Sequence, residues 1–302
     1  MRMLDAAATA AALPFDRLVP ALQAAFAGGA EVPDRHHHPL PGGATLLLMP
    51  AWQRDWLGVK IVTVHPGNAA LGIPAVHSTY LLTEAATGRP ALLLDGDTLT
   101  ARRTAAASAL AASFLARRDA SHLLLVGAGR VASLLPAAHR SVRGVREVRV
   151  WNPTAARADA LVVALRADGF DAARTDDLPA AAAWADIISC ATLSTAPLIQ
   201  GAWLRPGTHL DLIGAFTPAM READEDAIRR ARVFVDTLAA LHEAGELVGL
   251  READLCGTLA TLCQGGAGRL GDEVTIFKSV GTALEDLATA TLVSEQTAAR
   301  IP

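Results

Sequence analysis

Cysteine is scarce: Cys190, Cys256 and Cys263 are the only three in 302 residues, and no two of them form a CxxC pair. An odd, scattered set builds no disulfide framework and offers too few ligands for a zinc site, so the expected compartment is the reducing cytoplasm. Aromatic residues are only 4% and charged ones 19%, while hydrophobic residues make up 51%. That balance excludes a disordered chain and predicts a sizeable core of alanine-rich helices packed closely on sheet. No apolar run reaches the ~18 residues of a membrane span. The stretch 6–13 is alanine-rich rather than leucine-rich and follows Asp5, which reads as a helical lead-in and not an export signal. With a net charge of −4 there is no polybasic surface, so neither nucleic acid nor membrane is expected as a partner. Small molecules and other protein chains remain.

What is present is periodicity. Phe15, Leu18, Val19, Leu22 and Phe26 recur at helical spacing over 15–27 and stop at Gly28-Gly29. From 44 to 100 the pattern changes to "TLLLMP", "GVKIVTVHP", "AVHSTYLLTE" and "PALLLDG", short runs split by Gly, Pro and Asn turns, which predict a small, mostly antiparallel sheet. A helix is expected over 100–117 with Thr100 as its N-cap. Beyond Ser121 strand and helix alternate: "HLLLVG", helix 131–141, "EVRVWN", helix 154–168, then "ADIISCAT", "THLDLIGA" and "RVFVDT". Such alternation predicts a parallel sheet covered on both faces. A last helix is expected over 281–298. The fold class is therefore α/β in two domains. A smaller mixed α/β domain takes 1–118, with 282–302 returning to it, and a Rossmann-type doubly wound parallel sheet takes 119–281.

The stretch "LLVGAGRVASLLPAA", residues 124–138, joins a strand to a helix through Gly127-x-Gly129-x-x-Ala132. The glycines give a tight corner and a close backbone approach, and a helix N-terminus offers free N–H groups to phosphate oxygens. Arg130 and Val131 open that helix. The second strand ends about 20 residues on, where an Asp or Glu would hold the 2′-hydroxyl of NAD. Here Asn152 stands there, followed by Thr154 and Arg157. No carboxylate repels a 2′-phosphate and Arg157 is placed to meet one, so NADPH is the expected cofactor, with NADH possible.

Charge also sits in apolar company. Lys60 lies inside "LGVKIVTV", Arg102 and Arg103 interrupt an alanine-rich helix start, and Arg35 precedes "HHHP". Taken with "MPAW", "VHPGN", "LLDGDTLTARRTAA", "VGAGRVA", "WNPTAAR", "LIGAFTPAMREAD" and "FKSVGTALEDL", the order of motifs from about 15 to 298 resembles the ornithine cyclodeaminase/μ-crystallin family. The resemblance implies a substrate-binding and dimerising domain beside a Rossmann domain, in a homodimer. It implies that Lys60 is the active-site lysine, and that Arg103 and, on a shorter match, Arg35 hold a substrate carboxylate. It places Gly127, Gly129, Asn152 and Thr154 on the cofactor phosphates and ribose, and Thr192 and Ser279 on the nicotinamide side.

One departure bears on the reaction. Where deaminating members carry an Asp, this sequence has Phe216, which accepts neither a proton nor a hydrogen bond from an ammonium group. Ala75 likewise stands where a hydroxyl residue is common. The sequence around Phe216 resembles the branch that reduces the cyclic ketimines Δ1-pyrroline-2-carboxylate and Δ1-piperideine-2-carboxylate, and an imino acid is the expected substrate. His77, one strand step away, is a candidate second proton relay. The run His36-His37-His38 reads as a loop at a cleft mouth or dimer surface. Neighbouring side chains diverge, so no metal is expected there. "MREADEDAIRRARVFVD" reads as a solvated helix before a strand. The alternatives are an ornithine cyclodeaminase using another base, an alanine dehydrogenase-like enzyme, and a non-enzymatic binder.

Overall fold

The computed structural model describes residues 1–298. It divides into two compact units, Met1–Arg103 together with the chain from Thr282 onward, and Thr104–Gly281.

The first unit contains β1 (Arg2–Leu4), α1 (Ala6–Ala11), α2 (Phe15–Gly28), β2 (His36–Pro39), β3 (Thr45–Gln53), β4 (Trp56–Val64), β5 (Val76–Glu84) and β6 (Pro90–Asp95). Its six strands lie in the order β1-β6-β5-β4-β3-β2, all antiparallel except the β1–β6 pair. Alternation along β4 sends Gly58, Lys60 and Val62 to the buried face and Leu57 and Ile61 outward. The last helix, which lies between Ala283 and Ala298, packs on β3, β4, β5 and α2, covering the buried face. The run at 36–38 is therefore a paired edge strand, not the loop expected from sequence, because its backbone bonds to Thr45–Leu48.

Helix α3 (Gly96–Leu115) begins four residues before the expected Thr100 cap. Asp95, the last residue of β6, accepts from the Thr98 N–H at 2.7 Å and so satisfies the helix start itself. Thr100 lies within the helix, its hydroxyl buried without a partner. The compact units divide inside α3, after Arg103, whereas the sequence reading put the boundary at 118.

The second unit continues with β7 (His122–Val126), α4 (Arg130–Arg140), β8 (Glu147–Trp151), α5 (Ala155–Ala167), β9 (Asp171–Arg174), α6 (Leu178–Trp184), β10 (Ile187–Cys190), β11 (His209–Leu212), α7 (Glu225–Arg230), β12 (Ala231–Val235), α8 (Ala240–Glu243), β13 (Gly257–Thr258), α9 (Leu259–Cys263) and β14 (Val274–Lys278); the closing helix is α10 (Ala283–Ala298). Its eight strands run β13-β12-β14-β11-β10-β7-β8-β9, and every pairing is parallel. The chain order reverses on either side of β7, which makes the β7/β10 crevice the switch point where such sheets hold ligands. Strands buried on both faces explain the near-continuous apolar runs Leu123–Val126 and Ile187–Ile188.

Candidate active site

In the first unit a buried charge cluster forms around Lys60. The side chain is 3% exposed, and β-pairing sets it opposite Met49 on β3 and Tyr80 on β5. Its Nζ lies 2.7 Å from Asp286 Oδ2. The other oxygen of Asp286 accepts from Arg103 Nε at 3.0 Å, and Arg103 Nη1 reaches Glu285 Oε2 at 2.7 Å. Both acids sit in the first turn of α10, where the helix dipole favours negative charge. Burial lowers the Lys60 pKa to about 8; Asp286 draws it upward, and the charges of Arg103 and Arg35 push it down. Asp286 shows the converse. Burial works to raise its pKa, yet the adjoining Lys60 and Arg103 hold it below the usual carboxylate range. Burial and Asp286 together push the Tyr80 hydroxyl well above its ordinary value.

Three of the residues singled out in sequence thus share one electrostatic neighbourhood: Lys60, Arg103 and the half-buried Arg35. His77 does not. It is paired with Thr63, and strand alternation turns it to the face away from Lys60, where it is exposed. The proton-relay reading of His77 is corrected on that ground. Ala75 lies half-buried in the turn before β5, its carbonyl accepting from the His65 N–H at 2.7 Å. Asp286 and Glu285, which fix the two cations, were missed in the sequence reading. The available signal was an acidic pair at the start of a helix otherwise rich in Ala, Leu and Thr.

In the second unit the glycine turn follows β7. Gly127 has φ +114°, and a Cβ there would lie 2.6 Å from the Ala191 carbonyl, beyond the end of β10. Only glycine fits. Gly129 occupies the N-cap position of α4 without any side-chain cap, and a Cβ on it would meet nothing within 4 Å. Uncapped amides facing open space, with exposed Arg130 and half-buried Val131 behind them, fit a dinucleotide pyrophosphate. At the end of β8, Asn152 Nδ2 donates to the Thr154 carbonyl at 3.0 Å, Thr154 holds the N-cap position of α5, and Arg157 is exposed in that helix's first turn.

Thr192 and Ser279 follow the C-terminal ends of β10 and β14. Thr192 is tied down: its N–H and hydroxyl donate to Glu222 Oε1 at 2.7 and 2.8 Å, while Glu222 Oε2 accepts from the Gly214 N–H at 2.7 Å. Glu222 is wholly buried, so the solvated-helix reading of its segment is corrected; the helix begins only at Glu225, and Asp224 caps it. The Glu222 N–H donates to Glu246 Oε1 at 2.7 Å, and Lys278 Nζ lies 3.9 Å from Glu246 Oε2. Burial pushes the Glu222 pKa up to about 7 against the charge of Lys278 and the three donors. On β14's other side, Asp236 Oδ2 accepts from the Val280 and Gly281 N–H groups at 2.8 and 2.6 Å, fixing the segment after Ser279. Phe216 lies in the loop after β11 and is 47% exposed. No group of three His, Cys, Asp or Glu side chains that would hold a metal ion stands together among the described residues.

Fold and site together define a two-unit α/β protein, with a dinucleotide-binding sheet in one unit and a buried acid–base cluster in the other. The chain belongs to the ornithine cyclodeaminase/mu-crystallin family, whose model matches residues 2–300. It is 41% identical over 265 residues to a Δ1-pyrroline-2-carboxylate reductase of Paracoccus denitrificans, covering 84% of each chain. Among solved structures it resembles the Thermococcus litoralis Δ1-pyrroline-2-carboxylate reductase in complex with NADH and L-proline (TM-score 0.93, 29% identity, 99% of this chain and 98% of that one). It also resembles an archaeal alanine dehydrogenase dimer with bound NAD (TM-score 0.91, 29% identity, 99% and 96%).

Proposed function

We propose that the protein reduces cyclic imino acids, Δ1-pyrroline-2-carboxylate to L-proline and Δ1-piperideine-2-carboxylate to L-pipecolate, with NADPH preferred and NADH accepted. The observation that carries this reading is the pairing of two buried cations, Lys60 and Arg103, on one carboxylate, Asp286. Relatives with the same fold, one solved with NADH and L-proline, support it.

Arg103, with Arg35, holds the substrate carboxylate and so orients the ring. When bound, a reduced nicotinamide supplies the hydride that C2 of the ring receives. Lys60 gives a proton from Nζ to the ring nitrogen, which makes C2 electrophilic; with its pKa near 8 it is mostly charged at neutral pH. Phe216 leaves the deaminating members' Asp position without a proton acceptor, which favours imine reduction over loss of an amino group. Ala75 adds no hydroxyl. The turn at Gly127 and Gly129, with Arg130, Val131, Asn152, Thr154 and Arg157, holds the nucleotide's phosphates and ribose, and Thr192 and Ser279 adjoin the nicotinamide. Nothing at Asn152 repels a 2′-phosphate.

The working form is a homodimer. The outer face of the six-stranded sheet leaves Met3, Trp52, Leu57 and Ile61 exposed at 74%, 41%, 37% and 40%, an apolar surface that a second copy covers. The dimeric alanine dehydrogenase supports this. Three free cysteines favour a cytoplasmic location, and no helix among the described residues is long and apolar enough to cross a membrane.

The test is NADPH oxidation with each of the two cyclic imino acids and with pyruvate plus ammonia, alongside L-ornithine and NAD+ scored for ammonia. Turnover is expected with the imino acids. Turnover confined to pyruvate and ammonia, or ammonia released from L-ornithine, overturns the reading.

A further inference from the structure

A buried proton donor faces a conflict of charge. Desolvation and the neighbouring guanidinium groups of Arg103 and Arg35 all strip the proton from Lys60, yet a donor must carry that proton at neutral pH. The groups that face it on the surrounding elements settle which one restores the balance. From β5 comes Tyr80, whose hydroxyl stays neutral because burial, and then Asp286, oppose its ionisation. From α3 comes Arg103 and from the segment before β2 comes Arg35, both cationic. From α10, Glu285 meets the Nη1 end of Arg103, and Asp286 alone of the two acids lies on Lys60, 2.7 Å from Nζ.

We propose that Asp286 is a positioning residue of this site: one carboxylate oxygen keeps the Lys60 ammonium charged and aimed, while the other fixes Arg103 in register with it. The inference rests on the reading of Lys60 as donor. A single rigid carboxylate spanning both cations couples the group that binds the substrate carboxylate to the group that protonates the ring nitrogen. In the step itself an N–H bond of Lys60 breaks and an N–H bond of the ring forms as hydride adds to C2. Lys60 is left neutral beside an Asp286 anion that keeps only Arg103 as its cation, and that anion favours the return of a proton from solvent to Lys60 Nζ, resetting the site.

The sequence makes the test direct. Of its 27 lysines and arginines only Lys60 and Lys278 are lysine, so protein labelled with 15N-lysine gives two Nζ signals, and Lys60→Met identifies which is which. The Lys60 signal is titrated in the wild type, Asp286→Asn and Asp286→Glu, next to pH profiles of kcat/KM for imino-acid reduction. The wild-type midpoint is expected near 8. In Asp286→Asn it falls by roughly one to three pH units, the alkaline limb of the rate profile moves with it, and Asp286→Glu returns both towards wild type. Equal midpoints in wild type and Asp286→Asn overturn the proposal. If Asp286→Asn does not fold, the wild type decides: a midpoint of 8 or above supports the proposal, and one below 7, with Lys60 neutral despite Asp286, overturns it. A moved signal in a protein that turns over no imino acid retains the positioning role and removes the reductase reading; turnover with an unmoved signal does the reverse.

Discussion

Each unit of the molecule buries a set of charged groups, and burial has opposite outcomes in the two. In the six-stranded unit, Asp286 is fully buried and still held below the usual carboxylate range, because an ammonium and a guanidinium touch its two oxygens at 2.7 and 3.0 Å. In the parallel-sheet unit, Asp211 and Glu222 are buried as deeply, and both are pushed up to about 7. Their partners are hydroxyls and amides: Ser108 and Ser189 on Asp211, Thr192 and Gly214 on Glu222. Neutral donors orient a carboxylate, but a full cation in contact is what keeps it charged against desolvation. The first cluster is suited to moving protons. The second braces the loops that follow β10 and β11.

The comparison breaks most sharply at Lys60. Lys60→Met removes the proposed proton donor and is expected to cost roughly 10²–10⁴ in kcat, with dinucleotide affinity, read by fluorescence titration, unchanged; retained turnover takes the lysine out of the mechanism. Arg103→Leu leaves Glu285 Oε2 and Asp286 Oδ1 buried without their cation. That change is expected to cost about 3–5 kcal/mol of stability and to raise KM for the imino acid. Calorimetry showing wild-type stability would mean the cluster is not dry.

In the parallel-sheet unit the sign of the pH effect is the test. Glu222 and Asp211 titrate near 7 when folded, against ordinary values of 4.5 and 3.8. The folded chain therefore holds the extra protons. The stability from these groups is complete below their ordinary values and is lost as pH rises through about 7. His139, lowered to about 3, and His209, lowered well below its ordinary value, both chiefly by burial, oppose this mainly below their ordinary 6.5, and Lys60 enters only above about 8. Between pH 6.5 and 8 the melting temperature should fall, by roughly 2–4 °C for each kcal/mol, and Glu222→Gln should flatten the slope. A flat wild-type profile contradicts the buried-carboxylate account. Smallest is the effect at exposed Arg157, which has no part in either cluster: Arg157→Ala should reduce preference for NADPH over NADH by about tenfold, or about 1.4 kcal/mol. An unchanged ratio places 2′-phosphate recognition elsewhere.

The architecture was legible in sequence wherever it is written in local periodicity. Strand–helix alternation after Ser121 and the Gly127 corner depend on neighbours within a few residues, and the structure has both. Lys60 stood out because it is the one charged residue in an apolar strand run, Val59–Val62. The misses are all tertiary. Asp95 pre-empts Thr100 as the start of α3 because β6 runs directly into the helix, a junction no propensity marks. His77 was placed at the site by its closeness to Ala75 in sequence, but its parity along β5 turns it away from Lys60. Glu222 looked solvated among charged neighbours, and only the loops after β10 and β11 closing over it make it a buried brace. Asp286 reaches Lys60 across 226 positions of chain, a distance over which sequence pattern carries no signal.

With Lys60 at 3% exposure and Lys278 fully enclosed, the folded surface carries its cations as arginine and displays no lysine amine. Reagents that couple through such amines, whether cross-linkers, dye esters or activated supports, therefore have no lysine to seize while the fold is intact. Covalent capture of the folded chain calls for chemistry aimed at carboxylates or at the exposed Cys256, and uptake of an amine-directed label at a lysine becomes a direct reporter of unfolding.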